Sequence, residues 1–405
     1  MNYLDQFTEQ LHEWSKTGKE PESAAGELRY FLNCQEQRLK NKGIQREEDY
    51  IHVKDEIHGS ILRNDNGYTA NILYREANQD LTYRKNGKIM KRISRPVTIY
   101  TTMIDKEGFE ESTCTCPNCG NTLTIRKARE GCPYCGTYFE MDESYPCFTN
   151  YYTVAGIVER ATLPDKLKKG MIIAGSISGI IIAALCMYSW DELPIIYRML
   201  AALFMGAFYG MVFAFVWYMG QSMILLMKVF FEAGRSLPLL KSLRNRKKMN
   251  TFMETYDPDF QYDVFEGKVI SLLQTITFSN NREALSIWNG NRNLHFLDEI
   301  ADMHFRGAIY VQKCKEKDGI LQVEVIAYMT DTYVNDSVHE KDEAFKIILE
   351  KEASALSDPG FMIQKVSCTG CGGSFDALHQ RTCPYCGKPY DLKKKDWIIT
   401  DLKKK

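Results

Sequence analysis

Eight of the thirteen cysteines fall into four Cys-x-x-Cys pairs, and the pairs fall into two sets. CPNCG at Cys116 and Cys119 stands before CPYCG at Cys132 and Cys135, and CTGCG at Cys368 and Cys371 stands before CPYCG at Cys383 and Cys386. Each set offers four thiolates at the spacing of a zinc ribbon, in which two tight turns each present a sulfur pair and together close a tetrahedron. Four sulfurs leave no open position for water. The chemistry expected of two zinc ions is therefore structural, with metal binding acting as folding energy on the order of 10 kcal/mol per site.

A redox reading competes with the metal reading. Cys-Pro-Tyr-Cys, at Cys132 to Cys135 and again at Cys383 to Cys386, matches the glutaredoxin tetrapeptide, where a helix N-terminus lowers the thiol pKa. Here each copy is followed by glycine, is paired with an upstream Cys-x-x-Cys and has no βαβ pattern before it, which favours a metal knuckle. Cys34, Cys114, Cys147, Cys186 and Cys314 share no spacing and read as ordinary buried or membrane cysteines. Cys114 lies close enough to Cys116 to compete for metal, and His379 close enough to the second set, but four cysteines already complete each site. No HExxH, GxSxG, Walker loop or GxGxxG occurs, so an enzymatic reading has no motif to carry it.

Zinc ribbons also serve nucleic-acid machinery, and Arg126, Lys127 and Arg129 flank the first while Lys393, Lys394 and Lys395 follow the second. A formal net charge of −1 nevertheless argues against nucleic-acid binding by bulk electrostatics. Thiolate metal sites favour a reducing compartment. The opening MNYLDQFTEQLHEW has no apolar run and does not read as a secretory signal.

The two cysteine sets lie on either side of a hydrophobic hairpin. Met171 to Trp190 and Met199 to Met227 carry no charged residue, and at about 1.5 Å per residue each spans the roughly 30 Å hydrocarbon core of a bilayer. Asp191 to Arg198 is too short a connector for anything but an antiparallel pair. Lys166, Lys168 and Lys169 precede the first span, and Lys228, Arg235, Lys241, Arg244, Arg246, Lys247 and Lys248 follow the second, whereas the connector has Arg198 alone. The positive-inside rule then places both flanks, and both termini, in the cytosol of a multi-pass cell (inner, cytoplasmic) membrane protein. GSISG at Gly175 to Gly179 and GAFYG at Gly206 to Gly210 place paired glycines one helical turn apart, suited to close approach of the two spans or to association of neighbouring chains as a homo-oligomer. The basic stretch at 229–250 mixes Phe230, Phe231, Leu237, Leu239, Leu240 and Leu243 with cations and is expected along the membrane surface.

Each flank shows the same order of elements. Residues 1 to about 40 read as two helices, with Phe7, Leu11 and Trp14 in the first and Leu28, Phe31, Leu32 and Leu39 in the second. Gly59 to Tyr74 is strand, turn, strand, Thr82 to Ile93 repeats the device around Asn86-Gly87, and strands are expected at Val97 to Met103 and Phe148 to Val154. Beyond the hairpin, Asp257-Pro258 reads as a helix start, and shorter helical stretches lie at Arg282 to Trp288 and Leu294 to Met303. Gly307 to Met329 is a hairpin whose Val323, Val325 and Ala327 share one face and are candidates for a pocket lining. Strands at Ala344 to Lys351, Phe361 to Val366 and Trp397 to Leu402 complete the set. Gly59 precedes Cys116 by 57 positions and Gly307 precedes Cys368 by 61, as a duplicated unit requires.

At DPDFQYDVFEGKVISLL and the α-then-β order behind it, residues Asp257 to Leu402 resemble the Tim-forty-four-like family, the cone-shaped α+β domain of a mitochondrial import inner-membrane translocase subunit and its bacterial relatives. The resemblance implies a bacterial zinc-ribbon membrane protein with an apolar pocket, contact with anionic lipid and docking of protein partners rather than catalysis. The expected fold is α+β: two cone-like helix-plus-curved-sheet units, 1–155 with a ribbon at 116–135 and 251–405 with a ribbon at 368–386. A transmembrane hairpin at 170–228 separates them. The expected function is a non-catalytic membrane-anchored binding or scaffold protein that holds a lipid, peptide or protein partner. A scaffold docking through its ribbons alone, and a cone-fold enzyme, are the alternatives.

Overall fold

The computed structural model describes residues 3–51, 53–55, 57–138, 145–155, 163–235 and 237–405. The side chains at 60, 163–166, 225–226, 228–235, 237–244 and 308 lie outside the described residues, and with them the membrane-surface expectation for Phe230, Phe231, Leu237, Leu239, Leu240 and Leu243. The chain forms two compact units, one made of Met1–Ala155 with Pro238–Lys405 and the other of Gly156–Leu237.

In the first unit, α1 (Tyr3–Thr17) and α2 (Gly26–Asn41) form where apolar residues recur at helical spacing. Leu4, Phe7, Leu11 and Trp14 are all buried on α1. On α2 the buried face includes Gln35 and Arg38 beside Leu28, Phe31, Leu32 and Leu39, which hydrophobic periodicity alone does not flag. Then come β1 (Ile44–Ile51), β2 (Ile57–Arg63), β3 (Tyr68–Lys85) and β4 (Lys88–Lys106). The β3–β4 turn, Asn86-Gly87, has φ of 51° and 75°, the primed turn whose twist matches that of the strands. Val97 to Met103 is the later part of β4 rather than a strand of its own. The first ribbon contains β5 (Thr113–Thr115), β6 (Thr122–Thr124) and the short α3 (Ile125–Arg129), and β7 (Cys147–Ala155) follows it.

The second unit holds α4 (Leu163–Ser189) and α5 (Ile195–Arg235). Within these, Leu167–Ser189 and Ile195–Ile224 are long and apolar enough to cross a membrane. Most of their side chains are exposed: Ile180 is 70% exposed and Leu203 73%. The paired glycines face one another. A Cβ added at Gly175 would meet the Gly210 carbonyl oxygen at 3.0 Å, and one at Gly179 would meet that of Gly206 at 2.9 Å. Only glycine allows the two backbones this approach.

The first unit resumes with α6 (Leu237–Met253) and α7 (Tyr262–Phe278), then β8 (Ile300–Lys317), β9 (Ile320–Val334) and β10 (Val338–Glu352). The second ribbon carries β11 (Val366–Ser367) and β12 (Ser374–Phe375), and β13 (Ile398–Lys404) closes the order. Asp318-Gly319 repeats the primed turn, with φ of 54° and 77°. Three sequence expectations are corrected here. The helix expected at Asp257-Pro258 begins at Tyr262, because the Asp257 carboxylate turns inward and accepts from the Ser357 hydroxyl at 2.6 Å instead of capping. The helical stretches at Arg282 to Trp288 and Leu294 to Met303 are single 3₁₀ turns at Arg282–Ala284 and His295–Leu297, and Ile300 to Met303 already belongs to β8. Of Phe361 to Val366 only Val366 is strand. The Ile363 N–H donates to Glu27 Oε1 (3.0 Å) and its carbonyl accepts from the Ala377 N–H (2.9 Å), so its backbone groups are met outside any ladder.

The expected order of helices, meander and inserted ribbon occurs twice, but the halves share one sheet. Its order is β1-β3-β4-β7-β8-β9-β10-β13, with β2 paired to β3. Four strands come from each half along that path, and the halves meet at a parallel contact where Val154 lies beside Phe305. One hydrophobic cluster runs through both, from Phe7, Trp14 and Phe31 to Val269, Val325, Phe345 and Ile399. Val323, Val325 and Ala327 are fully enclosed in it. They are core, and none lines the cavities described below.

Polar groups also bind the halves together. Arg38 donates to the carbonyl oxygens of Leu297 (2.9 Å), Ile300 (3.0 Å) and Thr277 (2.6 Å). Asp302 accepts from Gln35 Nε2 (2.9 Å), Arg46 (2.8 Å) and the Tyr83 hydroxyl (3.0 Å). Burial opposes its charge, but Arg46 and His304 prevail and hold the Asp302 carboxyl well below the usual carboxylate range.

Candidate metal centres and a cavity between the halves

Each ribbon is built from two identical turns. The N–H of Gly120 donates to the Cys116 carbonyl (2.9 Å), that of Gly136 to Cys132 (2.8 Å), that of Gly372 to Cys368 (2.9 Å) and that of Gly387 to Cys383 (2.9 Å). All four glycines have positive φ, between 70° and 75°, which is why each Cys-x-x-Cys ends in glycine. The turns bring Cys116, Cys119, Cys132 and Cys135 together, and likewise Cys368, Cys371, Cys383 and Cys386, with the four sulfurs of each set within 4.8 Å of one another.

Individual separations are 3.7 Å for Cys116 to Cys135 and 3.6 Å for Cys119 to Cys132, Cys368 to Cys386 and Cys371 to Cys383. A tetrahedral ion about 2.3 Å from each sulfur requires an edge of about 3.8 Å, so both sets fit a four-coordinate metal. A disulfide needs about 2.05 Å and is not formed. N–H groups of Cys371 and Gly370 hold the Cys368 thiol down to about 6, and hydrogen bonds with the Thr137 hydroxyl and backbone do the same for Cys135, while the Asn121 N–H also lowers Cys119.

Cys114 packs beside the first centre without joining the four sulfurs. His379 stays outside the second: its Nδ1 lies 2.8 Å from Asp376 Oδ2 and its ring meets Tyr30 edge-on, with centroids 4.6 Å apart. Cations near the first ribbon are matched by acids, Arg126 with Glu111 and Arg129 with Glu110.

The two centres are embedded differently. Cys368 and Cys383 belong to the main core, together with Phe375, Ala377, Leu378 and Leu392. Cys116 and Cys132 have only a small cluster of their own, with Leu123 and Ala128. Both ribbons expose the Pro-Tyr of the second turn, with Tyr134 at 66% and Tyr385 at 69% exposure.

A cavity of about 120 Å³ opens between the halves. Leu62, Ala70, Thr102 and Asn150 line it from one half, and α7, the 356–361 loop and Trp397 from the other. Three lysines reach it: Lys268, Lys351 and Lys395. Lys268 lies 2.6 Å from Asp396 and 3.5 Å from Glu27; burial opposes its charge, but the two carboxylates prevail and keep it protonated. No sequence motif marks these residues. Lys351 reads as one strand residue and Asp257 as a helix cap, and only the folding of the C-terminal half brings them together, 3.6 Å apart. Comparison of the chain with protein-family models, curated proteins and solved structures finds no match.

Proposed function

We propose that this chain is a non-catalytic, membrane-anchored binding protein that holds a small ligand or partner segment in the cavity between its halves. The observation that carries the reading is that cavity, walled by both halves of one continuous sheet and lined by apolar and charged side chains together. In this reading α4 and α5 cross the bilayer as a hairpin. The chain leaves the sheet unit at Ala155 and returns to it at Pro238, so an even number of crossings keeps the unit on one side. The lysines and arginines flanking the hairpin favour the cytosolic side. Zinc is the metal of both centres, since four thiolates in a tetrahedron suit it and a reducing compartment keeps them available. Its role is to close the two ribbons.

The exposed Tyr134 and Tyr385, each on the same turn of its ribbon, favour a second reading in which the ribbons themselves dock a protein partner. Native mass spectrometry of the protein released gently from membranes separates the two. Two zinc ions with a reproducible small-molecule or peptide adduct support the binding reading. Two zinc ions and no adduct favour the scaffold, and fewer than two overturn the metal assignment.

A further inference from the structure

The cavity contains a charge that the chain itself answers incompletely. Lys351, at the end of β10, has a side chain only 3% exposed, and its ammonium carries three N–H donors. The facing carboxylate oxygen, Asp257 Oδ2, is 3.6 Å away, too far for a hydrogen bond, and already accepts from the Ser357 hydroxyl at 2.6 Å. Asp257 Oδ1 is buried without a hydrogen-bond partner. Among the described residues no hydrogen bond reaches the Lys351 ammonium. A buried charge held in this way calls for another acceptor.

The neighbouring groups limit what that acceptor can be. Phe260, Phe265, Leu356, Phe361 and Trp397 form the apolar wall, and the Trp397 ring lies 5.7 Å from the Lys351 ammonium. The cavity, at about 120 Å³, is somewhat smaller than the roughly 150 Å³ apolar cavity that accommodates benzene, so its occupant is no larger than a single ring or a chain of similar size. Lys268 is already held by Asp396 and Glu27, which leaves Lys351 as the buried cation short of a partner. A cation is repelled by Lys351, and a dianionic phosphate by Asp257, Asp358 and Asp396.

We propose that the cavity binds a small monocarboxylate with one ring or about six carbons attached, its carboxylate on the Lys351 ammonium and its apolar part against Phe260, Phe265, Phe361 and Trp397. This rests on the reading of the cavity as a ligand site and names the ligand's chemistry. The test uses the full chain in lipid nanodiscs, with benzoate and its neutral isostere benzamide as probes, followed by saturation-transfer NMR and calorimetry. Benzoate is expected to bind at least tenfold more tightly than benzamide. Lys351→Met paired with Asp257→Asn, which leaves no buried lone charge, is expected to erase that preference while benzamide still binds. Leu356→Trp, at a position 58% exposed on the rim, is expected to abolish binding of both without changing zinc content. Equal affinity for the two probes, or a preference that survives the double substitution, overturns the carboxylate assignment and leaves the cavity reading standing. Binding of neither probe overturns both.

Discussion

Single residues show how far chemistry can be read before folding brings distant parts together. The grouping of the eight cysteines into two sets of four was legible, because the geometry is local: Cys-x-x-Cys-Gly contains both the sulfur pair and the glycine whose positive φ closes the turn. Arg38 and Asp302 were not, because their partners lie in the other half of the chain, nor was Lys351, whose facing Asp257 is distant in sequence. Glu266 on α7 was not legible either, since its surroundings are set by folding. Burial and the neighbouring Asp263 push it up to about 8, with Arg246 only partly offsetting them. The folded state therefore binds a proton that the unfolded state, with a carboxyl near 4.3, has released, and stability falls as pH rises from about 4.3 to about 8. Glu266→Gln, which cannot ionise, is expected to flatten that slope. Thermal melts across this pH range check it, and an unchanged slope would show that Glu266 is not its source.

Among elements, the ribbons and the hairpin were the easiest to read and the C-terminal connections the hardest. Hydrophobic periodicity located α1, α2 and the two long apolar helices, the Asn-Gly turn located the β3–β4 hairpin, and alternation along 307–329 located the β8–β9 hairpin. It failed between residues 282 and 303, where single 3₁₀ turns give way to the start of β8, and at Phe361 to Val366, where backbone hydrogen bonds are made to side chains and loops rather than to a ladder. The ribbons, alike in sequence, are unequal in consequence. Cys383→Ser removes a ligand from a centre continuous with the main core and is expected to lower the melting temperature of the whole sheet unit. Cys116→Ser disturbs a small separate cluster and is expected to release one metal ion while leaving the main transition nearly in place. Zinc stoichiometry measured alongside calorimetric melting distinguishes the two, and equal losses of melting temperature would contradict the difference in embedding.

For the whole molecule, the repeated order of elements suggested two separate units flanking the hairpin, and the structure joins the two flanks in one sheet unit. The duplication was legible in the repeated order of elements, but the joining was not, since a parallel contact between β7 and β8 leaves no pattern in either strand. Residues 1–155 expressed alone are expected not to fold stably, because α2 would present Phe31 and Leu32 without α7 to cover them, and Arg38 without its three carbonyls. A dispersed NMR spectrum from that fragment would refute this. The β7–β8 contact also has a consequence for the making of the protein. Val154 and Phe305 lie on opposite sides of the apolar hairpin in the chain, so at roughly 5 to 20 residues per second the ribosome needs on the order of ten seconds or more between delivering one and delivering the other. Both long apolar helices leave the ribosome during that interval, so the sheet can be joined only after the hairpin has been synthesised.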